Sequence, residues 1–441
     1  MKSLLEKIRK ICYWIFDFLR GSPVRNHYRD IKFILENFGS DESNARREKH
    51  LTEILQHAIN TTPFYKKNSK GTSLKDFPII NKGTVRNNYD QFKSDTYINQ
   101  KNIPVVTSGS TGTPFKLFHD KNKRFRNNAD IIYFAKQGGF EIGSRLIYMK
   151  VWNDINKKSN LKKWMENIKP YSIFNYTEKD IEQLLNDLRQ DTSRKGLVCF
   201  ASTCEVIVKY LDAKNAAPEN FNITSVITNS DALSNYVKDK MEHYFKVPVV
   251  SRYSNMECGM LAQQNRSGGY FFDFNWASFY LELLHPDKDE PAEPGTMGRV
   301  VVTDLFNRCM PLIRYDTGDL AYLKKRGLEK APVLESIEGR KVDLIRDTQE
   351  KVITSHIVTV NMWKYAELKQ YQFAQIDSGE YVFRLNPWSM PFSREKELIT
   401  EFKGYLGQNA NIGIEYVDEI PPLSSGKRKL VVNEINQTVL K

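Results

Sequence analysis

The stretch VVTSGSTGTPFKLF at residues 105–118 sets the interpretation of the whole chain. Both of its ends are apolar and predict short strands, whereas the turn between them is built from serine, threonine and glycine. Gly109 and Gly112 permit a positive φ and leave the backbone open to an anion. Successive N–H groups in such a turn converge on phosphate oxygens, and the hydroxyl groups add further donors. The stretch predicts a phosphate-binding loop, with a plain surface hairpin as the alternative.

The loop lacks the spacing G-x-x-x-x-G-K-[ST] of the common phosphate-loop motif, so its meaning depends on the rest of the chain. The chain has 441 residues, of which 40% are hydrophobic and 27% charged. This composition is typical of a soluble globular protein with a large core and room for a second domain. A net charge of +12 favours anionic partners such as nucleotides, coenzyme A or acidic lipid headgroups.

Two classes of partner or site are not predicted. The basic residues are spread along the chain without a zinc-finger or RNA-recognition pattern, so we expect no nucleic-acid partner. The five cysteines include no C-x-x-C pair, which indicates reduced thiols in a cytoplasmic protein better than a disulfide framework.

Residues 1–22, MKSLLEKIRKICYWIFDFLRGS, predict a basic amphipathic helix. Glu6 and Asp17 interrupt its apolar residues, and no small-residue cleavage site follows, so a signal peptide is not predicted. The longest uncharged run, residues 11–16, is too short to span a bilayer. Two interpretations stay open, a helix docked on its own domain and a helix lying on the inner face of a membrane.

The rest of the chain predicts an α/β protein. Apolar strand candidates alternate with helical patterns between residues 125 and 250, which indicates a sheet covered by helices. Strand and turn signals between residues 270 and 319 predict a β-rich subdomain, and the last hundred residues mix short strands with helices. We therefore predict a large N-terminal domain at residues 23–338 and a small α+β C-terminal domain at residues 339–441. The predicted strands are residues 146–151, 197–200, 226–228 and 247–250, and the predicted helices are residues 125–138, 178–189, 204–214 and 234–245.

Four further segments follow the loop, and their order along the chain is informative. They are RYSNMECG at residues 252–259, PLIRYDTGDL at 311–320, GRKVDLI at 339–345 and PPLSSGK at 421–427. Together with the loop they resemble the motifs of the adenylate-forming superfamily, the acyl-CoA synthetases and adenylation domains. LTEILQHAINTTPFYKK at residues 51–67 and LKDFPIINKGTVRNN at 74–88 are similar to the N-terminal region of its phenylacetate–CoA ligase-like branch, which includes the CapK-like proteins of capsular polysaccharide clusters. The resemblance covers roughly residues 45–435.

The resemblance implies a fold and a reaction. The fold is a large multi-layer N-terminal domain with a small, mobile C-terminal domain. The reaction uses ATP and Mg²⁺: a carboxylic acid attacks the α-phosphate, pyrophosphate leaves, and the acyl group passes to coenzyme A or to an amine such as an amino sugar. A role in capsular or surface polysaccharide biosynthesis goes with the CapK-like branch. The alternative is a non-catalytic nucleotide-binding protein recruited to a glycan assembly at the membrane surface.

The resemblance also assigns roles to nucleotide-binding residues. Tyr253 would lie against adenine, Asp319 would accept both ribose hydroxyls, and Glu257 would bind Mg²⁺, a hard ion that prefers oxygen ligands. Asp231 stands where relatives carry a glutamate on the adenine side. The phosphate-binding set is Thr107, Ser108, Gly109, Ser110, Thr111, Gly112, Thr113 and Lys116.

The remaining roles belong to the C-terminal part and the acid pocket. Lys427 would be a mobile catalytic lysine that bridges the new adenylate oxygens, and Arg340 would lie at the domain junction near ribose and phosphate. Val342 replaces the polar hinge residue of relatives, which puts the large domain rotation in doubt. The region before residue 339 lacks the cysteine-rich knuckle of many relatives, so no zinc is expected. Candidates for the acid pocket are Tyr148, Trp152, Phe200 and Ala201; the acid and the acceptor are not predicted.

Overall fold

The computed structural model of the chain describes residues 2–107, 115–150, 152, 158–173, 177–230, 232–267, 269–326, 330–340, 345–353, 356–365, 367–421 and 429–435. Its α-helices are α1 (Lys2–Leu19), α2 (Pro23–Glu36), α3 (Asp41–Thr61), α4 (Pro63–Asn68), α5 (Lys82–Asn87), α6 (Lys121–Gln137), α7 (Asn160–Met165), α8 (Glu178–Gln190), α9 (Ala201–Ala213), α10 (Asn235–Phe245), α11 (His356–Asn361) and α12 (Glu395–Leu406).

The strands divide among four sheets. They are β1 (Ile103–Thr107), β2 (Phe115–His119), β3 (Arg145–Lys150), β4 (Ile168–Ser172), β5 (Lys195–Phe200), β6 (Ile223–Asn229), β7 (Val249–Asn255), β8 (Gly259–Gln264), β9 (Phe272–Phe274), β10 (Phe279–Leu284), β11 (Met297–Asp304), β12 (Tyr315–Lys324), β13 (Val333–Arg340), β14 (Ile345–Arg346), β15 (Val352–Ile353), β16 (Leu368–Asp377), β17 (Glu380–Pro387), β18 (Asn411–Tyr416) and β19 (Val431–Asn433).

Several helices, among them α6 and α10, begin where a polar side chain caps the first turn. Asp120 accepts the N–H of Lys123 at the start of α6, and Ser234 accepts the N–H of Val237 at the start of α10. Such caps satisfy N–H groups that have no partner within the helix. The cap at Asp120 explains why α6 begins four residues before the predicted start at residue 125.

The central feature is one sheet of eleven strands in the order β10-β11-β12-β13-β9-β8-β7-β6-β5-β3-β4. The strands from β4 to β7 are parallel, and the strands from β7 to β10 pair antiparallel. The strands predicted to form a β-rich subdomain therefore continue the same hydrogen-bonded ladder, because β7 pairs with a parallel strand on one side and an antiparallel strand on the other. The large sheet includes Gly339 and Arg340 in β13, two residues past the predicted domain boundary.

The C-terminal part has its own sheet and core. Four strands pair in the order β18-β17-β16-β19. Helix α12 packs Phe402 against Phe373 and Phe383 of this sheet, with ring centroids 5.7 and 4.8 Å apart. Lys209 of α9 donates a hydrogen bond to the Leu368 carbonyl at 3.3 Å, which joins the C-terminal part to the large sheet's helical layer. The predicted α+β character of this part is thus present.

One buried ion pair ties α6 to the antiparallel half of the sheet. Lys123 Nζ lies 2.6 Å from Asp304 Oδ2 at the end of β11, and neither side chain is exposed to solvent. Removing one member of such a pair leaves a buried charge without compensation.

Lys123→Met should therefore lower the free energy of unfolding by about 3–5 kcal/mol. Denaturant unfolding followed by fluorescence measures the change, and Lys121→Met, at an exposed position on the same helix, is the matched control. Equal unfolding curves for the two variants would show that the pair does not hold α6 in place.

Candidate functional site

The site is organised around the start of β12, which carries the sequence T-G-D. On one side Tyr315 pairs with β11, and further along the other side Asp319 pairs with Arg340 of β13. Next to Tyr315 the place of β13 is taken by Ile80, whose N–H donates to the Arg314 carbonyl at 3.1 Å and whose carbonyl accepts from the Asp316 N–H at 2.8 Å. The segment before α5 is thereby laid against the strand that carries Asp319.

Tyr253 and Asp319, predicted to bind adenine and ribose, are in direct contact. The phenol of Tyr253 donates to Asp319 Oδ2 at 2.6 Å and lies 3.3 Å from Thr317 Oγ1. Burial raises the pKa of Tyr253 well above its usual value, and the neighbouring Asp319 carboxylate raises it further. The phenol consequently stays protonated and orients the carboxylate, leaving the ring next to the predicted ribose-binding group.

Glu257 lies in the turn between β7 and β8 with 1% of its surface exposed. Its carbonyl accepts a hydrogen bond from His119 Nε2 at 2.7 Å. Burial and Lys123 lower the pKa of His119, so the ring is neutral and Nε2 carries the donated proton. Gly259 closes the turn at φ +102°, and a Cβ there would meet Asn127 Oδ1 at 2.7 Å. The backbone around Glu257 is therefore closely fixed.

The carboxylate of Glu257 has a cation beside it that the sequence analysis did not identify. Lys82 Nζ lies 2.5 Å from the buried oxygen Glu257 Oε1. Lys82 is the first residue of α5, whose start is capped by Asn81 Oδ1, which accepts from Thr84 N–H at 2.9 Å. A buried carboxylate oxygen with only a cation next to it is a fitting ligand for Mg²⁺.

The two ends of the predicted phosphate loop belong to a hairpin. Thr107 at the end of β1 pairs with Phe115 at the start of β2, and residues 108–114 lie outside the described residues. Thr107 Oγ1 is buried without a hydrogen-bond partner in the part of the chain that the structure describes. Lys82 Nζ lies 5.9 Å from the ring centre of Phe115, so the hairpin opens beside the Lys82–Glu257 pair.

Of the four other predicted residues, the structure describes only the side chain of Lys116. Lys116 is exposed on β2, with its ammonium 5.3 Å from the ring centre of Phe118. Arg340 pairs through its backbone with Asp319, while its side chain lies outside the described part. Asp231 and Lys427 also lie outside the described residues, as does the hinge residue Val342.

Two candidates for the acid pocket, Tyr148 and Phe200, lie on the same face of the parallel strands. Neighbours of Tyr148 and Phe200 in β3 and β5 point into a core with α8, α9 and α10, so these two side chains point to the other face. Arg252 of β7 lies on the same face as Tyr148, and its Nη2 donates to Gln263 Oε1 at 2.9 Å. The indole N–H of Trp152 donates to the Tyr171 carbonyl at 3.1 Å, and its ring lies 5.6 Å from that of Tyr148.

Arg252 is the second residue that the sequence analysis missed, although it directly precedes Tyr253. Burial lowers its pKa to about 10, and Tyr148 opposes this shift. Gln263, its hydrogen-bond partner, donates in turn to the Phe134 carbonyl of α6 at 2.7 Å. A guanidinium held by a neutral amide keeps positive charge for an anionic or hydrogen-bond-accepting ligand.

The sequence is similar to that of known proteins. The family described as the CapK C-terminal domain matches residues 344–434. Protein CapK of Staphylococcus aureus is 23% identical over 440 residues, 95% of this chain and 94% of that protein. A phenylacetate–coenzyme A ligase of Aromatoleum evansii is 22% identical over 433 residues, 90% of this chain and 96% of that protein. The predicted resemblance to these proteins is confirmed.

Solved structures show the same fold. A 2-hydroxyisobutyryl-CoA ligase in the postadenylation state, in complex with R3-HIB-AMP, superposes with a TM-score of 0.68 at 15% identity, and the match covers 92% of both chains. An anthranilate CoA ligase in complex with anthranoyl-AMP gives a TM-score of 0.53 at 13% identity over 76% of this chain and 66% of that chain. The predicted fold class is confirmed, and the relatives are ligases of the predicted type.

Glu257→Gln keeps the shape of the side chain but removes the charge that a metal needs. Loss of a metal-binding interaction commonly costs about 10–100-fold in metal affinity, so the Mg²⁺ concentration for half-maximal turnover should rise by at least about tenfold. A Mg²⁺ titration of turnover measures it, with Glu293→Gln at an exposed position as control. Superimposable titrations for the two variants would remove Glu257 from the metal site.

Proposed function

From its relationship to phenylacetate–coenzyme A ligases and to CapK, we propose that this chain activates a carboxylic acid as an acyl-adenylate and transfers the acyl group to coenzyme A or an amine. One observation carries the proposal. Tyr253 of β7 contacts Asp319 of β12, and Glu257, in the turn after β7, lies against Lys82 beside the phosphate-loop hairpin. A ring, a two-oxygen acceptor and a buried acid in this order suit adenine, ribose and metal-bound phosphate.

Different residues of the chain have different roles in the adenylation step. Asp319 accepts the ribose hydroxyls, and the hydrogen bond from Tyr253 fixes the carboxylate for that purpose. Glu257 would hold Mg²⁺, which when bound neutralises phosphate charge. The N–H groups of residues 107–113 bind the phosphates, and Lys427 and Arg340 stabilise charge that develops as the carboxylate attacks and pyrophosphate departs. Asp231 completes the adenine side, and Lys116 adds positive potential at the mouth of the loop.

The acid binds on the face shared by Tyr148, Phe200 and Arg252. Tyr148 and Trp152 supply an aromatic wall, and Ala201, which is buried at the start of α9, limits the depth. Arg252 supplies a cation whose only recorded partner among the described residues is the neutral side chain of Gln263. We infer that the preferred acid carries a second hydrogen-bond acceptor besides the reacting carboxylate.

Both acceptors remain in the proposal. The 2-hydroxyisobutyryl-CoA ligase has also been solved in complex with 2-HIB-AMP and CoA, which supports coenzyme A as the acceptor. The likeness to CapK supports a surface polysaccharide pathway, in which an amino sugar takes the acyl group as an amide. The five cysteines are free thiols, which fits the cytoplasm, where ATP and coenzyme A are available.

A non-catalytic nucleotide-binding protein is the less well supported alternative. A protein that only binds a nucleotide does not need to keep Glu257, Asp319 and Lys427 together, whereas the proposed adenylation uses all three.

Carboxylate-dependent exchange of labelled pyrophosphate into ATP tests the adenylation step. We expect exchange with some member of an acid panel, higher for acids with a second acceptor group than for their apolar analogues. Lys427→Ala should lower the exchange rate about 10²–10³-fold while ATP binding stays nearly unchanged. Lys396→Ala, at an exposed position of the same domain, is the control. Normal exchange by Lys427→Ala would disprove the assignment of this lysine, and ATP binding without exchange for any acid would favour the non-catalytic alternative.

The acceptor is identified with an acid that supports exchange. If coenzyme A is the acceptor, free thiol should disappear in step with AMP release, because one thioester forms per adenylate consumed. AMP release that ignores coenzyme A and rises with an amino sugar would contradict the thioester and leave adenylation intact. Mass spectrometry of the product distinguishes the thioester from the amide.

A further inference from the structure

Helix α1 turns its apolar side to solvent. Its large apolar residues are between 42% and 71% exposed; they are Leu4, Leu5, Ile8, Ile11, Ile15, Phe16, Phe18 and Leu19. At about 100° per residue they cover an arc of roughly 160° on one side of the helix. This surface is too extended to be a scattering of single exposed side chains.

The opposite, polar side of α1 is fixed to the protein. Asp17 is buried and accepts the backbone N–H groups of Val24 and Arg25 at 3.0 and 2.9 Å. Lys10 Nζ lies 2.9 Å from Glu141 Oε2. A Cβ at Gly143 would come within 2.2 Å of the Glu6 carbonyl, which shows how closely α1 approaches. The helix is docked on its own domain, which is one of the two interpretations predicted. It contacts the protein through its polar side, so docking does not bury the apolar side.

Helix α7 extends this surface. Leu161, Trp164 and Met165 are 67%, 65% and 51% exposed. The guanidinium of Arg9 on α1 lies 5.5 Å from the ring centre of Trp164, so the two helices are neighbours. We call the exposed apolar residues of α1 and α7 the apolar face.

A cavity of about 540 Å³ opens beside the apolar face, between α1, α7 and the edge strand β4. Its lining contains four cations and a single carboxylate, that of Glu6; the cations are Arg9, Arg145, Lys163 and Lys169. Arg145 and Lys169 are paired with Asp191 and Asp187 at 3.3 and 2.8 Å, whereas in the described part Arg9 and Lys163 form no ion pair within 4 Å and Glu6 is the carboxylate that acts on Arg9. The cavity is therefore positive and lies next to an apolar surface.

We propose that the apolar face docks the protein on an anionic phospholipid bilayer and that the cavity receives an anionic headgroup. The apolar side chains enter the boundary between headgroups and acyl chains, as in other interfacial helices. Lys7, Arg9, Lys162 and Lys163 lie along the borders of the face, where anionic lipid attracts them. A second copy of the chain is a poorer occupant, because it would bring the same cations together. In the described ranges, no helix has the length and apolarity needed to cross a membrane.

Vesicle sedimentation of the full chain tests the proposal. The protein should pellet with vesicles of phosphatidylcholine and phosphatidylglycerol at low salt, stay in solution with phosphatidylcholine alone, and be released by high salt. Ile8→Glu/Ile15→Glu should reduce the bound fraction at least about tenfold, because it places two charges in the inserted side. Ile98→Glu/Ile376→Glu alters exposed isoleucines elsewhere and should bind normally. Equal unfolding midpoints for both variants exclude loss of the fold.

The cavity is tested separately. Arg9→Gln/Lys163→Gln, which removes two cations of the cavity lining, should weaken binding to phosphatidylglycerol vesicles, whereas Lys101→Gln/Lys396→Gln, at exposed positions away from α1, should not. Inorganic phosphate at an ionic strength matched with chloride should not release the protein, since the headgroup is held together with the bilayer. Failure to pellet with anionic vesicles at low salt would overturn the proposal. So would a change from dimer to monomer in Ile8→Glu/Ile15→Glu with vesicle binding unaltered, because the face would then belong to a second copy.

Discussion

The backbone pairing of Ile80 with β12 is the constraint on which the candidate site depends. Two hydrogen bonds hold Ile80 in the place that β13 leaves next to Tyr315, and the Arg314 guanidinium adds a third contact, to the Phe77 carbonyl at 3.1 Å. Buried backbone groups must be paired, so this segment cannot shift without leaving donors and acceptors unsatisfied. Because Lys82 follows two residues later, the pairing of Ile80 with the strand that carries Asp319 also fixes the position of Lys82 beside Glu257. One local pairing thus connects the residues predicted to bind metal and ribose with the hairpin of the predicted phosphate loop.

The sequence predicted those site residues that belong to continuous motifs. Tyr253, Glu257 and Asp319 each lie in a short segment whose composition is informative by itself, and the structure brings Tyr253 and Asp319 into contact. Lys82 and Arg252 were not predicted, because their importance comes from partners far away in the chain: Glu257 is 175 positions from Lys82. Strand periodicity could have found Arg252, since it places a cation on the face used by Tyr148.

For the fold and the N-terminal helix, too, local sequence patterns predicted the elements but not their long-range contacts. Local patterns identified the strands between residues 270 and 319 correctly as strands, but not that they extend the parallel sheet, because the pairing of β7 with both halves is a long-range property. Likewise the helical periodicity of residues 1–22 predicts α1 and its two sides. Which side faces the protein depends on Glu141, Val24 and Arg25, and a hydrophobic pattern alone would suggest the opposite orientation.

The Lys82–Glu257 pair gives the resting site a built-in counter-ion. A deeply buried carboxylate without a cation beside it would have a large desolvation cost or would take up a proton. Lys82 places a positive charge beside Glu257 before any nucleotide arrives. Under the proposed chemistry, Mg²⁺ would replace the Lys82 ammonium as the cation beside Glu257, and Lys82 would lie next to the hairpin where the phosphates would enter. Glu257 would then have a cation beside it both before and after nucleotide binding.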